Sequence, residues 1–559
     1  MEEIHADVLI AGGGMAGLMA AWRAQCVGAS VVLLAGTAGA SVQMAGFSTA
    51  LGEGPDDGPA GLFDDMFVAG GFLNHPALLA AIAARIGPET RALETLGVPF
   101  ERAAGRLARR QAAGVTRPRA VFTRDMVGAT AGRLLRTAVG SAQLPVRILS
   151  EAFLLGIDAR DGAVGGGHVR LRKTGDWLRV AAPAVILATG GAGRLFRSTT
   201  NFPGIEGIGY ALALEAGASL VDMEFVCYEP TVALAPPAIA GMELPTMAFS
   251  QGARLRNGRG EEFLTTSPPP SKDVMSRAML REVAEGRGTP RGGILYDLRE
   301  MCPEIAQSYS QIRRVLAELR LSSDVAQIEV MPMQHYLVGG VAVDERGATD
   351  IAGLYAAGEV AGGAHGAHRL ATCGGTEAIA LGAIAGTSAA EYARRGRRIR
   401  AARAAPGPEC LAPADPQGLS RLARIQTALE DGCGPLRDAH ALAACRSTLE
   451  DLRDELKGED GGPTLLRRAV LVALSIAQAA EARTESRGDH FRTDHPQRDD
   501  CRWLGNLRSR LDRGVELQVS RHRAGITRRD VAPMPEGAHA TEKDIHGARR
   551  GEIHHTADR

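Results

Sequence analysis

No two of the eight cysteines are spaced C-x-x-C. That leaves no sign of a zinc or iron–sulfur site or a disulfide framework, and a reducing compartment is expected. No apolar run reaches the ~20 residues that a membrane span needs. The chain enters an apolar strand almost at once, at Val8, which leaves no room for a secretory leader. Net charge is absent as well. Lys+Arg and Asp+Glu both total 64, so nothing global calls for nucleic acid or an anionic membrane. No internal repeat is found. A cytoplasmic protein with no direct membrane span is expected. Glycine, by contrast, is abundant, with 69 among 559 residues. That exceeds the usual ~7% share and suits a fold with many strand-to-helix turns. The length suggests roughly three or four domains, and the 45% hydrophobic content supplies large cores.

The first thirty-five residues read as strand, Gly-rich turn, helix and strand. Asp7-Val-Leu-Ile-Ala11 is followed by Gly12-Gly13-Gly14-Met15-Ala16-Gly17, a small-residue helix, and the apolar run Ser30–Leu34. In Gly12-x-Gly14-x-x-Gly17 each glycine has a purpose. The first permits the tight turn, the second lets backbone approach a pyrophosphate, and the third lets helix pack on strand. The pyrophosphate would rest on free N–H groups at the helix N-terminus. The acidic ribose partner expected about 20 residues on is missing; Ala35 stands where the second strand ends. The stretch Gly39–Gly52, which contains Met44, Ala45 and Gly46, reads either as a loop folded over a ligand or as a mobile surface loop.

Further along, residues 76–97 carry helical apolar spacing, 120–123 read as a strand, and a helix runs through Leu134 and Leu135. Val146–Leu149 and Gly167–Leu171 read as strands. Ala184–Ala188 is a buried strand that runs into Thr189-Gly190-Gly191, as in a return to the first sheet. From about 225 to 340 the character changes to Pro-rich segments, a helix at Asp273–Glu285 and a strand at Gly293–Tyr296, as in an inserted domain. The first domain resumes with Gly340–Val343 and Gly353–Glu359, and a Gly/Ala-rich helix follows from Thr376. After a linker over 394–416, Leu419–Leu456 and Thr464–Arg483 have the i, i+3, i+4, i+7 spacing of bundle helices. The polar tail includes His539, His546, His554 and His555. It is read as disordered rather than metal-binding, and no metal site is expected.

Several blocks taken together resemble the flavoprotein subunits of fumarate reductase and succinate dehydrogenase, with L-aspartate oxidase as a wider relative. They are Gly12–Gly17, Leu187–Gly191, Ser198-Thr-Thr-Asn201, Met331-Pro-Met-Gln-His-Tyr336, Gly358-Glu359, His365-Gly-Ala-His-Arg-Leu370 and Glu485-Ser-Arg-Gly488. The resemblance implies an α/β fold. It would comprise a two-dinucleotide-binding FAD domain in two parts (1–225 and 341–400), an inserted α+β capping domain (226–340), a C-terminal helical bundle domain (415–530) and a polar tail (531–559). The implied FAD contacts are Gly12, Gly13, Gly14, Met15, Ala16, Gly17, Met44, Ala45, Gly46, Thr189, Gly190, Glu206, Gly358, Glu359, Gly374 and Gly375. Glu206 stands where the family has Asp, and Cys373-Gly374-Gly375 where close relatives have Asn-Ser-Leu. Ala40 occupies the position of the histidine that membrane-bound relatives attach to FAD, so non-covalent FAD is expected.

For the substrate, the resemblance implies that Arg369 and His335 grip a carboxylate. A guanidinium fork and a neutral-range donor suit that task. Arg277 matches the family's proton-donating arginine, but the relay that restores its proton reads Arg254, Gln251, Arg277, and glutamine cannot ionise. At the far substrate end Glu229 and Ser250 replace a histidine and a threonine. A carboxylate there would repel a substrate carboxylate by about 1–4 kcal/mol at ~4 Å, so the substrate is expected to carry one carboxylate and a different second end. Hydride would pass between flavin and a carbon next to that carboxylate. The alternatives are an aspartate-like amino-acid oxidase, or a flavoprotein subunit that serves a redox partner protein.

Overall fold

The computed structural model describes residues 2–37, 39–54, 57–112, 114–124, 126–141, 146–264, 270–395, 416–457, 464–512 and 516–522. The histidine-rich tail, most of the linker and Pro268-Pro269 lie outside them. The chain divides into two compact units. One is made of Met1–Cys227 and Gln334–Ala524, and the described part of the other is Tyr228–Met333.

At the heart of the first unit is a five-stranded sheet. Its strands run in the order Leu354–Ala356, Ala184–Leu187, Val8–Ala11, Val31–Ala35, Arg147–Ser150, and every pair is parallel. Val8–Ala11 and Ala184–Leu187 are buried at every position, as strands covered on both faces must be. The helices Met15–Cys26 and Cys373–Arg394 pack on each other at backbone distance. A Cβ at Gly382 would stand 2.5 Å from the Ala16 carbonyl oxygen, which explains the small faces read in both helices. A second sheet joins Glu2–His5, Trp177–Ala181, Ala163–Leu171 and Ala152–Arg160.

The region 39–52 is more ordered than a loop. Ala40–Gln43 is a 3-10 turn, and Gly46–Ser48 pairs antiparallel with Ala120–Phe122. The C-terminal helices are Pro416–Gly432, Ala439–Lys457 and Thr464–Ala482, packed against one another. An all-helical reading of the region up to 530 needs correction. A hairpin, Asn506–Asp512 with Glu516–His522, extends the sheet that contains Leu220–Val221 and Gly340–Ala342. Leu507 and Ser509 are buried and alternate with arginines, the period of two that a strand requires.

The second unit is built on the sheet order Val226–Ala235, Gln327–Leu337, Ile294–Asp297, Arg254–Arg256. The helices Lys272–Ala284 and Ser310–Leu319 contribute Met275, Met279, Ile312 and Leu316 to a core around Tyr296. No helix among the described residues is long and apolar enough to cross a membrane.

Candidate functional site

The glycine turn has the geometry its spacing implies. Gly12 lies at φ +119, and a Cβ there would overlap the Ala188 carbonyl. A Cβ on Gly17 would overlap the Gly12 carbonyl, while Gly13 sits against the Ala35 methyl. The N-terminus of helix Met15–Cys26 has no side-chain cap at Gly14. Its first N–H, on Met15, donates to Ser41 Oγ at 3.0 Å. The N–H groups of Ala16 and Gly17 have no acceptor within the helix, as first-turn amides never do. Ser41 thus joins the anion-binding end, a residue that no sequence motif had singled out.

Across the sheet, Thr189 precedes Gly190 at φ +77, and its buried Oγ1 has no hydrogen-bond partner among the described residues. Gly358 (φ +73) approaches the Ala16 methyl, which brings the third glycine block onto the first helix. Glu359 is half-buried, with Oε1 accepting from Leu337 N–H at 3.0 Å. Burial pushes its carboxyl up to about 7, although Leu337 N–H and Arg369 pull it down. Glu206 is half-buried, raised by burial and partly offset by Arg194.

The N-terminus of helix Cys373–Arg394 is a second end whose N-cap residue makes no side-chain cap bond. Its N-cap, Thr372, sits at φ +66, where a β-branched residue is strained. Ser48 Oγ holds Thr372 Oγ1 at 2.7 Å, and Thr376 Oγ1 donates to the Ser48 carbonyl. The side chain of Met44 packs where a Cβ on Gly375 would have to go, so the Met44–Gly46 stretch and the Gly374-Gly375 turn are brought together. Any side chain at Gly375 would push Met44 out. Cys373 is pushed up to about 12 by burial, so its thiol stays neutral.

Beside that turn lie Tyr336, the neighbour of His335 on its strand, and Arg369. The block Ser198–Asn201 docks on the strand that carries His335. Thr200 Oγ1 meets His335 Nδ1 at 2.9 Å, and Asn201 Nδ2 donates to the His335 carbonyl at 2.9 Å. Arg369 is buried with its Cζ 4.6 Å above the Tyr336 ring, and Gly374 faces both residues.

In the second unit, Glu229 is buried and ion-paired with Lys272 at the start of helix Lys272–Ala284. That pairing removes the premise that Glu229 must be protonated or must meet a substrate cation, because the chain supplies the cation itself. Arg277 donates to Asp273, one turn back on the same helix, at 3.0 Å. Arg254 faces Glu262 at 3.6 Å and Glu300 at 3.4 Å, while Gln251 and Ser250 are exposed, Ser250 donating to the Met247 carbonyl. Within this unit the contacts of Arg254 and Ser250 are local, and Arg277 has an ionisable partner in Asp273. Breaking one side of the buried pair strands a charge. K272M or E229Q should each lose about 3–5 kcal/mol in chemical denaturation, and the K272M/E229L double variant should recover most of it. Equal losses in the single and double variants would contradict this.

The family model described as an FAD binding domain matches residues 7–374, and the one described as the fumarate reductase flavoprotein C-terminus matches 464–534. One subunit of the fumarate reductase (CoM/CoB) of Methanothermobacter marburgensis is 30% identical over 528 residues, 89% of this chain and 95% of that protein. L-aspartate oxidase of Agrobacterium fabrum is 35% identical over 508 residues, covering 88% and 91%. Among solved structures, E. coli quinol fumarate reductase FrdA superposes with a TM-score of 0.79 at 27% identity, covering 94% of this chain and 98% of that one. The uncapped helix ends, the partnerless Thr189 hydroxyl and the glycine cradle fit the FAD that such proteins bind. The chain belongs to the family of FAD-dependent oxidoreductases that unites fumarate reductase, succinate dehydrogenase flavoproteins and L-aspartate oxidase.

Proposed function

We propose that this oxidoreductase transfers hydride between FAD and the carbon next to a carboxylate, on a substrate whose second end is a neutral hydrogen-bonding group. The observation that carries the reading is Arg369, a buried guanidinium stacked on Tyr336 and facing Gly374 at the turn that starts helix Cys373–Arg394. A buried planar fork is suited to a carboxylate. When bound, FAD supplies the two-electron chemistry, and the Ala40 methyl offers it no covalent link. Gly12–Gly17 and Ser41 would hold its phosphates, with Met44–Gly46, Thr189, Gly190, Glu206, Gly358 and Glu359 around the nucleotide and Gly374-Gly375 at the ring edge. In the tautomer whose Nδ1 accepts from the Thr200 hydroxyl, His335 carries its proton on the other ring nitrogen and can donate to the substrate. Arg277 handles the proton, and Asp273 is the ionisable neighbour able to restore it.

The pair Glu229–Lys272 has no net charge, so it supplies no counter-charge for a second carboxylate and calls for no ammonium. That withdraws the main support for an aspartate-like amine. The relative from Methanothermobacter marburgensis is one subunit of a larger enzyme, so a redox partner protein belongs to the reading, in the cytoplasm that the sequence leads one to expect. The test is reoxidation of the dithionite-bleached flavin by a panel of enoates, set beside bleaching of the oxidised flavin by a panel of amino acids. Fumaric acid monoamide should restore the yellow colour faster than fumarate does. Fumarate at equal or higher rate, or no response to any carboxylate, would overturn the reading.

A further inference from the structure

We propose that Glu377 is the positioning residue for the Arg369 guanidinium, acting through Tyr336 and His365; this rests on Arg369 being the carboxylate fork. Glu377 sits in the second turn of helix Cys373–Arg394 with no solvent exposure. A buried carboxylate is costly unless its surroundings use it. Its Oε2 accepts from Tyr336 Oη at 2.5 Å and meets His365 Nε2 at 3.0 Å. Its other oxygen, Oε1, has no hydrogen-bond partner among the described residues. The Tyr336 and His365 rings meet edge to face with centroids 5.8 Å apart, so the carboxylate locks two rings at once. Burial, followed by the charge of Glu377, holds the Tyr336 phenol well above its ordinary range, so the hydroxyl keeps its proton and remains the donor.

The face of that same ring carries the Arg369 guanidinium at 4.6 Å. Hydrogen bonding from a phenol to a carboxylate enriches the ring face in electrons and strengthens its hold on a cation. Nη1 of the guanidinium also donates to the Leu370 carbonyl at 3.3 Å and Nη2 to Cys227 Sγ at 3.9 Å, so the Tyr336 ring is one of the contacts that orient it. The path therefore runs from Glu377 to the Tyr336 hydroxyl, across the ring, to the fork. Neither Tyr336 nor Glu377 needs to touch the substrate.

The test uses the full-length FAD-loaded protein, titrated with fumaric acid monoamide and with fumarate and read by the change in oxidised-flavin absorbance. E377Q and Y336F should each raise the dissociation constant about tenfold while FAD content stays at the wild-type level. In the Y336F background, E377Q should add less than about twofold, since its influence passes through the hydroxyl already removed. A merely structural acid would instead lower the unfolding midpoint and leave the two effects additive. Wild-type affinity in both single variants, or full additivity in the double, would overturn the proposal while R369K still abolishes binding. If wild type perturbs its flavin with neither ligand, or R369K binds as wild type does, the carboxylate-fork reading itself fails, and the proposal with it.

Discussion

Lysine in place of Arg369 lowers kcat/KM for any carboxylate the wild type turns over by roughly 30- to 5,000-fold, the equivalent of about 2–5 kcal/mol. The substitution keeps the positive charge, so the loss isolates what the guanidinium adds. One part is the planar two-pronged donor set that matches a carboxylate; an ammonium offers a single point. The other is stacking on the Tyr336 ring, which fixes the fork's orientation before a ligand arrives. A lysine chain in the same buried channel must also desolvate a strongly hydrated head. Because Arg369 lies beside the nucleotide site rather than in it, FAD content and the visible spectrum should match wild type. Steady-state kinetics with the best substrate of the panel measures the effect. A ratio within tenfold of wild type would remove Arg369 from the substrate site.

Gly17→Ala should abolish FAD retention and cost more than about 3 kcal/mol of stability, beyond the usual range for one added methyl group. The new methyl would occupy the Gly12 carbonyl oxygen, part of the turn that carries the pyrophosphate. Relief requires helix Met15–Cys26 to lift from strand Val8–Ala11, and the same helix is clamped on its other side by Cys373–Arg394. A useful companion is Gly132→Ala, in helix Val127–Ser141, where the added carbon meets only Leu18 Cδ1 at 3.8 Å. That variant should be neutral or gain about 0.5–1 kcal/mol from helix propensity. Thermal unfolding and flavin absorbance after gel filtration separate the two. A yellow G17A protein with the wild-type midpoint would show that the fingerprint tolerates a side chain.

The parallel sheet was legible because strands buried on both faces must be continuous apolar runs closed by glycine turns, as in Val31–Ala35 and Ala184–Leu187. Helices with one buried stripe were equally readable, Thr464–Ala482 among them. The hairpin Asn506–Asp512 with Glu516–His522 escaped because its exposed positions are polar or charged, Arg510, Asp512, Gln518 and Arg521 among them, and its short alternation resembles a charged helix end. At the site, family blocks picked out His335 and Arg369. The pairings around the candidate residues were invisible, since they are set by tertiary approach: Glu229 meets Lys272 across 43 positions. Tyr336 meets Glu377 across 41. No local period encodes such pairs. Ser41 could have been suspected, as a hydroxyl in the small-residue stretch just after the second strand.

The way the sheet is threaded bears on how the chain is made. Strand Leu354–Ala356 completes the parallel sheet by pairing with Val185–Leu187, and Arg508 and Ser509 pair with Leu220–Val221. The described second unit, Tyr228–Met333, is one uninterrupted stretch. During synthesis from the N-terminus it can close as soon as its own last strand leaves the ribosome. The nucleotide sheet, begun first, must wait with an unpaired edge at Ala184–Leu187 until residue 356 has emerged. Vectorial translation thus inverts the order of completion, and the open edge in that interval is where a holding chaperone or early FAD binding has most to protect.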